Sequence, residues 1–185
     1  MSSTASFSAI VVSHANETGL RKMLGNLMYQ TRKPDEIVVL VSGLGASRLG
    51  KLREQYPEIT FHARDDRQDW GHEKRAEGVL IASKDYLGFF NDDDSYTLDY
   101  IEKMMRAVDG YDVAYCDWNK IPGCDFALRS STSGNYIVRT GLAREVGYNW
   151  RDYMADGRFI EDLNEAGAAV APKVEEILYF HNHQP

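Results

Sequence analysis

Tyr86–Tyr96 reads YLGFFNDDDSY, an apolar run with the look of a buried strand that ends in three consecutive aspartates, Asp92, Asp93 and Asp94. Bringing such side chains together is costly, since two unit charges ~4 Å apart repel by about 4 kcal/mol at an effective dielectric of ~20. A divalent cation removes that cost. Ligands of open α/β sheets sit outside the carboxyl ends of the strands, so acids at such an end read as a hard-metal site able to hold a polyphosphate. The plainer reading makes Asp and Ser here N-cap material for the helical stretch Leu98–Val108 (LDYIEKMMRAV).

Working outward, Glu73–Ser83 (EKRAEGVLIAS) has apolar residues at helix-compatible spacing, and the polar Arg64–Gly71 (RDDRQDWG) before it reads as a loop. Nearer the N-terminus, Ala5–Val12 (ASFSAIVV) reads as a buried strand running into the polar SHANET loop. Leu20, Met23, Leu24, Leu27 and Met28 recur at helical spacing, and Pro34 stops that helix before a second strand, Glu36–Val41. A loop at Ser42, Gly43 and Gly45, a helix at Ser47–Gln55 and a short strand at Ile59–His62 come next. This βαβαβ rhythm predicts a largely parallel sheet with helices on both faces. Beyond the helix at Leu98–Val108, strands are expected at Val113–Cys116, Asn135–Arg139 and Val174–Phe180, and a helix at Ala155–Ala166. Ile121–Ser133 has no clear period, and no internal repeat is present.

The length of 185 residues suits one domain over 1–185, burying about 70% of the surface that the unfolded chain exposes. Hydrophobic content of 43% and charged content of 26% are ordinary for a soluble globular chain. A net charge of -7 argues against a nucleic-acid backbone as main partner, because no cluster of Lys and Arg offsets it. The start has neither a basic segment nor a long apolar run, so no signal peptide or membrane span is read there and a cytoplasmic location is expected. Cys116 and Cys124, eight apart and without a CxxC spacing, suit reduced thiols better than a disulfide framework or a zinc site.

In order, these pieces resemble the family 2 glycosyltransferases of the GT-A fold over nearly the whole chain. The loop Val11–Asn16 (VVSHAN) matches the family's Thr/Ser-x-Tyr-Asn type loop at Ser13 and Asn16, with Ala15 in place of the tyrosine. The second strand keeps Gly43 but has Val41 and Ser42 where the family usually has two acids. The family's Ala-Arg-Asn-x-Gly helix start is met at Arg75 and Gly78, and its acidic metal motif at Asp92–Asp94, with Asn91 where many members have the first aspartate. Judged by the residues after it, Asp93 best matches the metal-binding acid. Alternation of strand side chains would instead put Asp92 and Asp94 on one side, so all three remain candidates. Asp156 lies eleven residues before Gly167, the spacing of the family's Glu-Asp pair, with Ala155 replacing the glutamate. LYFHNH supplies His181 and His183 where the family often has a histidine near a terminal aromatic strand.

The resemblance implies a Rossmann-like three-layer sandwich with a mostly parallel mixed central sheet. It implies a metal-dependent, inverting transferase that moves a sugar from a nucleoside-diphosphate sugar to a hydroxyl acceptor, such as a glycan or a lipid-linked group. Mn²⁺ or Mg²⁺ held by Asp92, Asp93, Asp94 and His181 or His183 would act as a Lewis acid on the leaving diphosphate. Ser13, His14, Asn16, Ser42, Gly71, Arg75 and Asp92 would bind the donor, and Asp156 would take the acceptor proton. Loss of the acids at Val41 and Ser42 leaves the base open, with UDP the default. The chain is short for the family, so the acceptor side would be open or completed by a partner chain, and a homo-oligomer stays possible.

Each residue also has a plainer role: a solvated helix arginine for Arg75, a helix cap for Asp156, and packing for Trp70 and Trp118, which would otherwise stack on a base or sugar. Two alternatives stay open. A sugar-nucleotide nucleotidyltransferase would start with a Gly-rich loop and a basic residue, and SHANET has neither. A non-catalytic nucleotide-sugar-binding module gains from the substitutions at Ala15, Val41, Ser42 and Asn91.

Overall fold

A computed structural model describes residues 5–65 and 70–182. Strand β1 (Phe7–His14) is central, because its β-branched and aromatic residues are buried on both faces. It pairs in parallel with β2 (Glu36–Ser42) on one side and β4 (Tyr86–Asn91) on the other, and β3 (Thr60–Ala63) extends the sheet beyond β2. After β4 the sheet becomes mixed. β7 (Tyr136–Arg139) runs antiparallel between β4 and β6 (Val113–Trp118), and β8 (Val174–Phe180) lies parallel to β6. A two-residue strand, β5 (Ser95–Tyr96), closes the far edge against β8, giving the order β3-β2-β1-β4-β7-β6-β8-β5.

Helices cover both faces, as the βαβαβ rhythm predicts. α1 (Glu17–Met28), α2 (Ala46–Gln55) and α4 (Tyr100–Ala107) bury Leu20, Met23, Leu24, Leu52, Ile101 and Met104 in one core. α3 (His72–Ile81), α5 (Thr140–Val146) and α6 (Ala155–Glu165) bury Val79, Ala143, Phe159 and Leu163 in the other. Gly78 lets α3 lie directly on β1, since a Cβ there would run into the Ile10 side chain. Gly78→Ala is expected to cost about 1–3 kcal/mol by overpacking, read as a lower urea midpoint at unchanged slope.

The acids after β4 do not cap a helix. α4 begins later, after Asp99, which makes no side-chain cap bond, and the intervening Ser95 and Tyr96 belong to β5. α5 was outside the expected elements and starts directly where β7 ends. Both cysteines are free and buried, and among the described residues no helix is long and apolar enough to cross a membrane.

The chain passes from β1 outward through β2 and β3, then returns to place β4 on the opposite side of β1. That reversal is a topological switch point, where open α/β sheets bind ligands. Register aligns Val12 with Asn91, Ser13 with Val41 and His14 with Ser42, so the carboxyl ends of the three strands share one rim.

Candidate active site

The rim begins with the β1 and β2 loops, which are locked to each other. Ala15 has a left-handed backbone (φ 51°) and donates its N–H to the Ser42 carbonyl at 2.9 Å. Gly43, also left-handed (φ 72°), lies so near that a Cβ on it would come within 2.9 Å of the Ala15 Cβ. His14 Nδ1 is 3.0 Å from the hydroxyl of Ser42, which with Val41 occupies the end of β2 where the resemblance leads two acids to be expected. Asn16 caps α1, accepting the Gly19 N–H at 2.9 Å, and its side chain also bonds Asp92.

The three aspartates diverge, contrary to the expected cluster, because β4 ends at Asn91 and they occupy a turn to which strand alternation does not apply. Asp92 turns back to β1 and accepts the Ser13 hydroxyl at 2.6 Å. Burial raises its pKa in spite of that bond. Asp94 turns the other way with its side chain fully buried. Its Oδ2 accepts from the Asn91 amide at 2.7 Å and the Tyr179 hydroxyl at 2.9 Å, and its Oδ1 from the Asn182 N–H at 2.8 Å and His181 Nδ1 at 3.1 Å. Asp93 alone faces outward. Desolvation by the surrounding protein, then the charge of Asp94, pushes its pKa up. Among the described residues no group of three or more His, Cys, Asp or Glu side chains is arranged to hold a metal.

His181 lies past the end of β8, in a turn fixed by the left-handed Asn182 (φ 49°) and by the His181 N–H donating to Asn119 Oδ1 at 2.9 Å. It therefore lies beyond the strand and not on it, and His183 lies outside the described residues. With Nδ1 toward Asp94 and Tyr179, the other ring nitrogen, Nε2, accepts from the Asn182 amide at 3.0 Å. A buried carboxylate that fixes one imidazole nitrogen is the arrangement found behind metal-bound histidines, and here Nε2 would exchange its Asn182 bond for the metal.

Asp94 is also a stability element. Burial alone would raise its pKa, but the bonds from His181, Asn182 and Asn91 outweigh burial and hold it below the usual carboxylate range. Because the folded pKa is depressed, its contribution is present above the unfolded value and is lost as pH falls through the folded one. Asp94→Ala is expected to cost about 3 kcal/mol at neutral pH by stranding buried donors, and less under acid. Denaturant melts at several pH values check this; a cost that does not shrink on acidification contradicts it.

Arg75 is a candidate in the sequence, but its burial cannot be foreseen from spacing. It lies on the buried face of α3, 6% exposed, pinned by three uncharged groups. Its Nη1 donates to the Trp70 carbonyl at 3.0 Å and to His72 Nδ1 at 3.2 Å, and its Nη2 to Asn91 Oδ1 at 2.7 Å. Its Nε has no hydrogen-bond partner, and no carboxylate among the described residues forms an ion pair with it. Desolvation opposes its charge, but the phenols and Asp156 around it prevail and raise its pKa. His72, missed in the sequence, holds the guanidinium through an unprotonated Nδ1 and donates from Nε2 to the Tyr153 carbonyl at 3.2 Å. Gly71 permits this turn with φ 79°, where a Cβ would press on Val12 within 2.7 Å.

Asp156 is not the N-cap of α6, a place taken by Met154, but lies in its first turn. It is half-buried, and its Oδ1 accepts the Gly157 N–H at 2.9 Å. Trp118 is a packing residue, buried against Tyr179 with its indole N–H donating to the Ser130 carbonyl at 2.9 Å. Trp70 is exposed beside the site. The structure thus brings Ser13, Asn16 and Asp92 together, Asp94 with His181, and places Arg75 where both Asp93 and Asp156 feel its charge.

Known proteins share this architecture. The chain is 30% identical over 111 residues to the uncharacterized glycosyltransferase YwdF of Bacillus subtilis (strain 168), covering 60% of this chain and 41% of that one. It superposes on S. aureus TarS 1-349 in complex with UDP with a TM-score of 0.75 at 17% identity, covering 95% of this chain and 60% of TarS 1-349. For the mannosyltransferase PcManGT of Pyrobaculum calidifontis, in complex with GDP-Man and Mn²⁺, the TM-score is 0.76 at 11% identity, covering 97% and 57%. These likenesses show a shared GT-A fold, and the chain spans less than two thirds of each relative's length. The sequence model described as Glycosyl transferase family 2 matches residues 8–165. Spanning both β1 and the start of α6, that match makes the chain a member of glycosyl transferase family 2.

Proposed function

We propose that the chain transfers a sugar from a nucleoside-diphosphate sugar to a hydroxyl acceptor, with inversion and with help from a divalent cation. The observation that carries this reading is Arg75, a buried guanidinium without an ion-pair partner among the described residues, near enough to Asp93 and Asp156 for each to feel its charge. A diphosphate supplies the missing anion. The β1/β4 switch point is where such a ligand would sit in an open α/β sheet, and structural neighbours are described in complex with UDP and with GDP-Man. The nucleoside then extends toward the β1 and β2 loops and meets Ser13, His14, Asn16 and Ser42, with Val41 and Ser42 in place of the acidic base-reading pair. UDP stays the first nucleotide to try.

The donor set fits a small hard cation. Asp93 offers a carboxylate and His181 an imidazole nitrogen oriented by Asp94, and phosphate oxygens would complete the shell. Mn²⁺ suits a site with an imidazole, and when bound such a cation neutralises charge on the leaving diphosphate. Asp92 and Asp94 are occupied with Ser13 and His181, so their proposed roles are donor binding and orientation of His181. In the transfer itself the acceptor oxygen forms a bond to the anomeric carbon as the bond to the phosphate oxygen breaks. The acceptor proton passes to Asp156, and Arg75 holds the departing charge.

The test is nucleotide release from a panel of nucleotide sugars with Mn²⁺, alongside calorimetry on Asp93→Ala. The expected result is turnover of at least one donor, with Mn²⁺-dependent nucleotide affinity reduced at least ten-fold by Asp93→Ala, roughly the value of one charge-assisted contact. Retained Mn²⁺-dependent affinity in that variant removes Asp93 from the metal shell.

A further inference from the structure

Trp70 and Tyr153 are each 65% exposed. Their rings meet edge to face, with centroids 5.0 Å apart and planes at 80°. Two large aromatics turned to water and packed on each other call for an explanation in a way that scattered surface residues do not. Both are built into the site from behind, since the Trp70 carbonyl accepts from Arg75 and the Tyr153 carbonyl from His72. Tyr153 also enters α6 just ahead of Asp156. Trp70 has φ 52°, a left-handed backbone that is a true outlier for a bulky residue, and Gly71 after it is left-handed as well. Two such residues in succession swing the indole outward and hold it there. Strain retained in this way is found at ligand clamps.

The chemistry of the pair narrows the ligand. Neither the indole N–H nor the Tyr153 hydroxyl has a hydrogen-bond partner among the described residues, so flat apolar faces are edged by free polar groups. The two charges of the 149–154 segment that carries Tyr153 are engaged, Asp152 with Arg158 in an ion pair and Arg151 over the Trp150 ring. An uncharged, flat-faced ligand with hydroxyls around its edge matches such a surface, whereas an acyclic polyol has no face to stack and an anion finds no unengaged cation among the described residues of the 149–154 segment. We propose that Trp70 and Tyr153 form the acceptor platform and stack on a pyranose ring, so that the hydroxyl acceptor is a saccharide. This rests on the transferase reading above, and on the ties of the pair to Arg75 and His72 through the Trp70 and Tyr153 carbonyls, with Tyr153 three residues before Asp156.

Tryptophan emission tests it, because Trp70 is more exposed than the buried Trp118 and the half-buried Trp150, and Trp70→Ala assigns the signal among the three. The chain is titrated, without donor, with methyl glucoside, cellobiose, chitobiose and maltotriose, and with ribitol and UDP as controls. At least one ring sugar is expected to change the emission saturably, with no such change from ribitol or UDP. Tyr153→Ala, a surface change that keeps the Trp70 reporter, is expected to weaken that sugar about ten-fold, and Trp70→Ala to abolish the signal. Should Trp70→Ala fail to fold, Trp70→Phe keeps a ring, and calorimetry is expected to return an affinity between those of the parent and of Tyr153→Ala. No response to any ring sugar, equal binding of ribitol, or a Trp70 signal that tracks UDP overturns the proposal. Since no donor is present, failure here leaves nucleotide release standing, and failure of nucleotide release leaves this titration standing.

Discussion

Asp156→Asn is expected to lower the turnover number for sugar transfer by about 10²–10⁴, the usual contribution of a positioned general base. The geometry behind this is specific to the start of α6. A Cβ on Gly157 would collide with the Leu128 side chain and come within 2.8 Å of its carbonyl, so only glycine lets the helix begin this close to the 125–131 segment. The Gly157 N–H then takes Oδ1 of Asp156, leaving Oδ2 without a partner among the described residues. Asparagine keeps the size and the Gly157 bond but cannot accept a proton at the second oxygen. Removing a negative charge near Arg75 does not weaken anion binding, so nucleoside diphosphate affinity is expected to hold or rise. Burst kinetics with a nucleotide sugar and its acceptor separate the two. Unchanged turnover removes Asp156 as the base, whereas Asp162, which lines a separate groove with Glu145 and Glu165, is expected to tolerate substitution by Asn.

Much of this scaffold was legible because its signals are local. The apolar runs of β1, β2 and β4 and the helical spacing of Leu20, Met23, Leu24 and Leu27 each act within a few residues. β5 escaped notice since two residues, one a buried Tyr, carry no period, and α5 since TGLAREV is a short helix without a side-chain cap bond. The acidic motif was visible but its geometry was not. Which way Asp94 turns depends on Tyr179 and His181, the latter 87 residues away in sequence. Arg75 posed the same difficulty in a sharper form, because arginine is usually exposed and nothing in EKRAEG announces burial. Its burial comes from Gly71, His72 and the end of β4, which meet only in three dimensions.

Arg75→Met is the second change of large expected effect. Truncating one member of a buried charge pair typically costs 2–5 kcal/mol in binding, so nucleoside diphosphate affinity is expected to fall by about a thousand-fold. The methionine fills the volume of the arginine stem, so the fold is retained. Arg75→Lys keeps the charge but not the planar fork that serves Trp70, His72 and Asn91 at once, so its affinity is expected to be intermediate. The ionic character of the contact adds a second signature. A nucleoside without phosphates is expected to bind the parent chain and Arg75→Met alike, since it does not reach the guanidinium.

Isothermal titration of UDP and uridine with Mn²⁺ present, into the parent chain and into Arg75→Met, tests the central claim most directly. Tight UDP binding by the parent that is lost in the variant, with uridine unaffected, is the predicted result. Equal UDP affinity in the two proteins would contradict it, because the buried guanidinium would then have no diphosphate to neutralise.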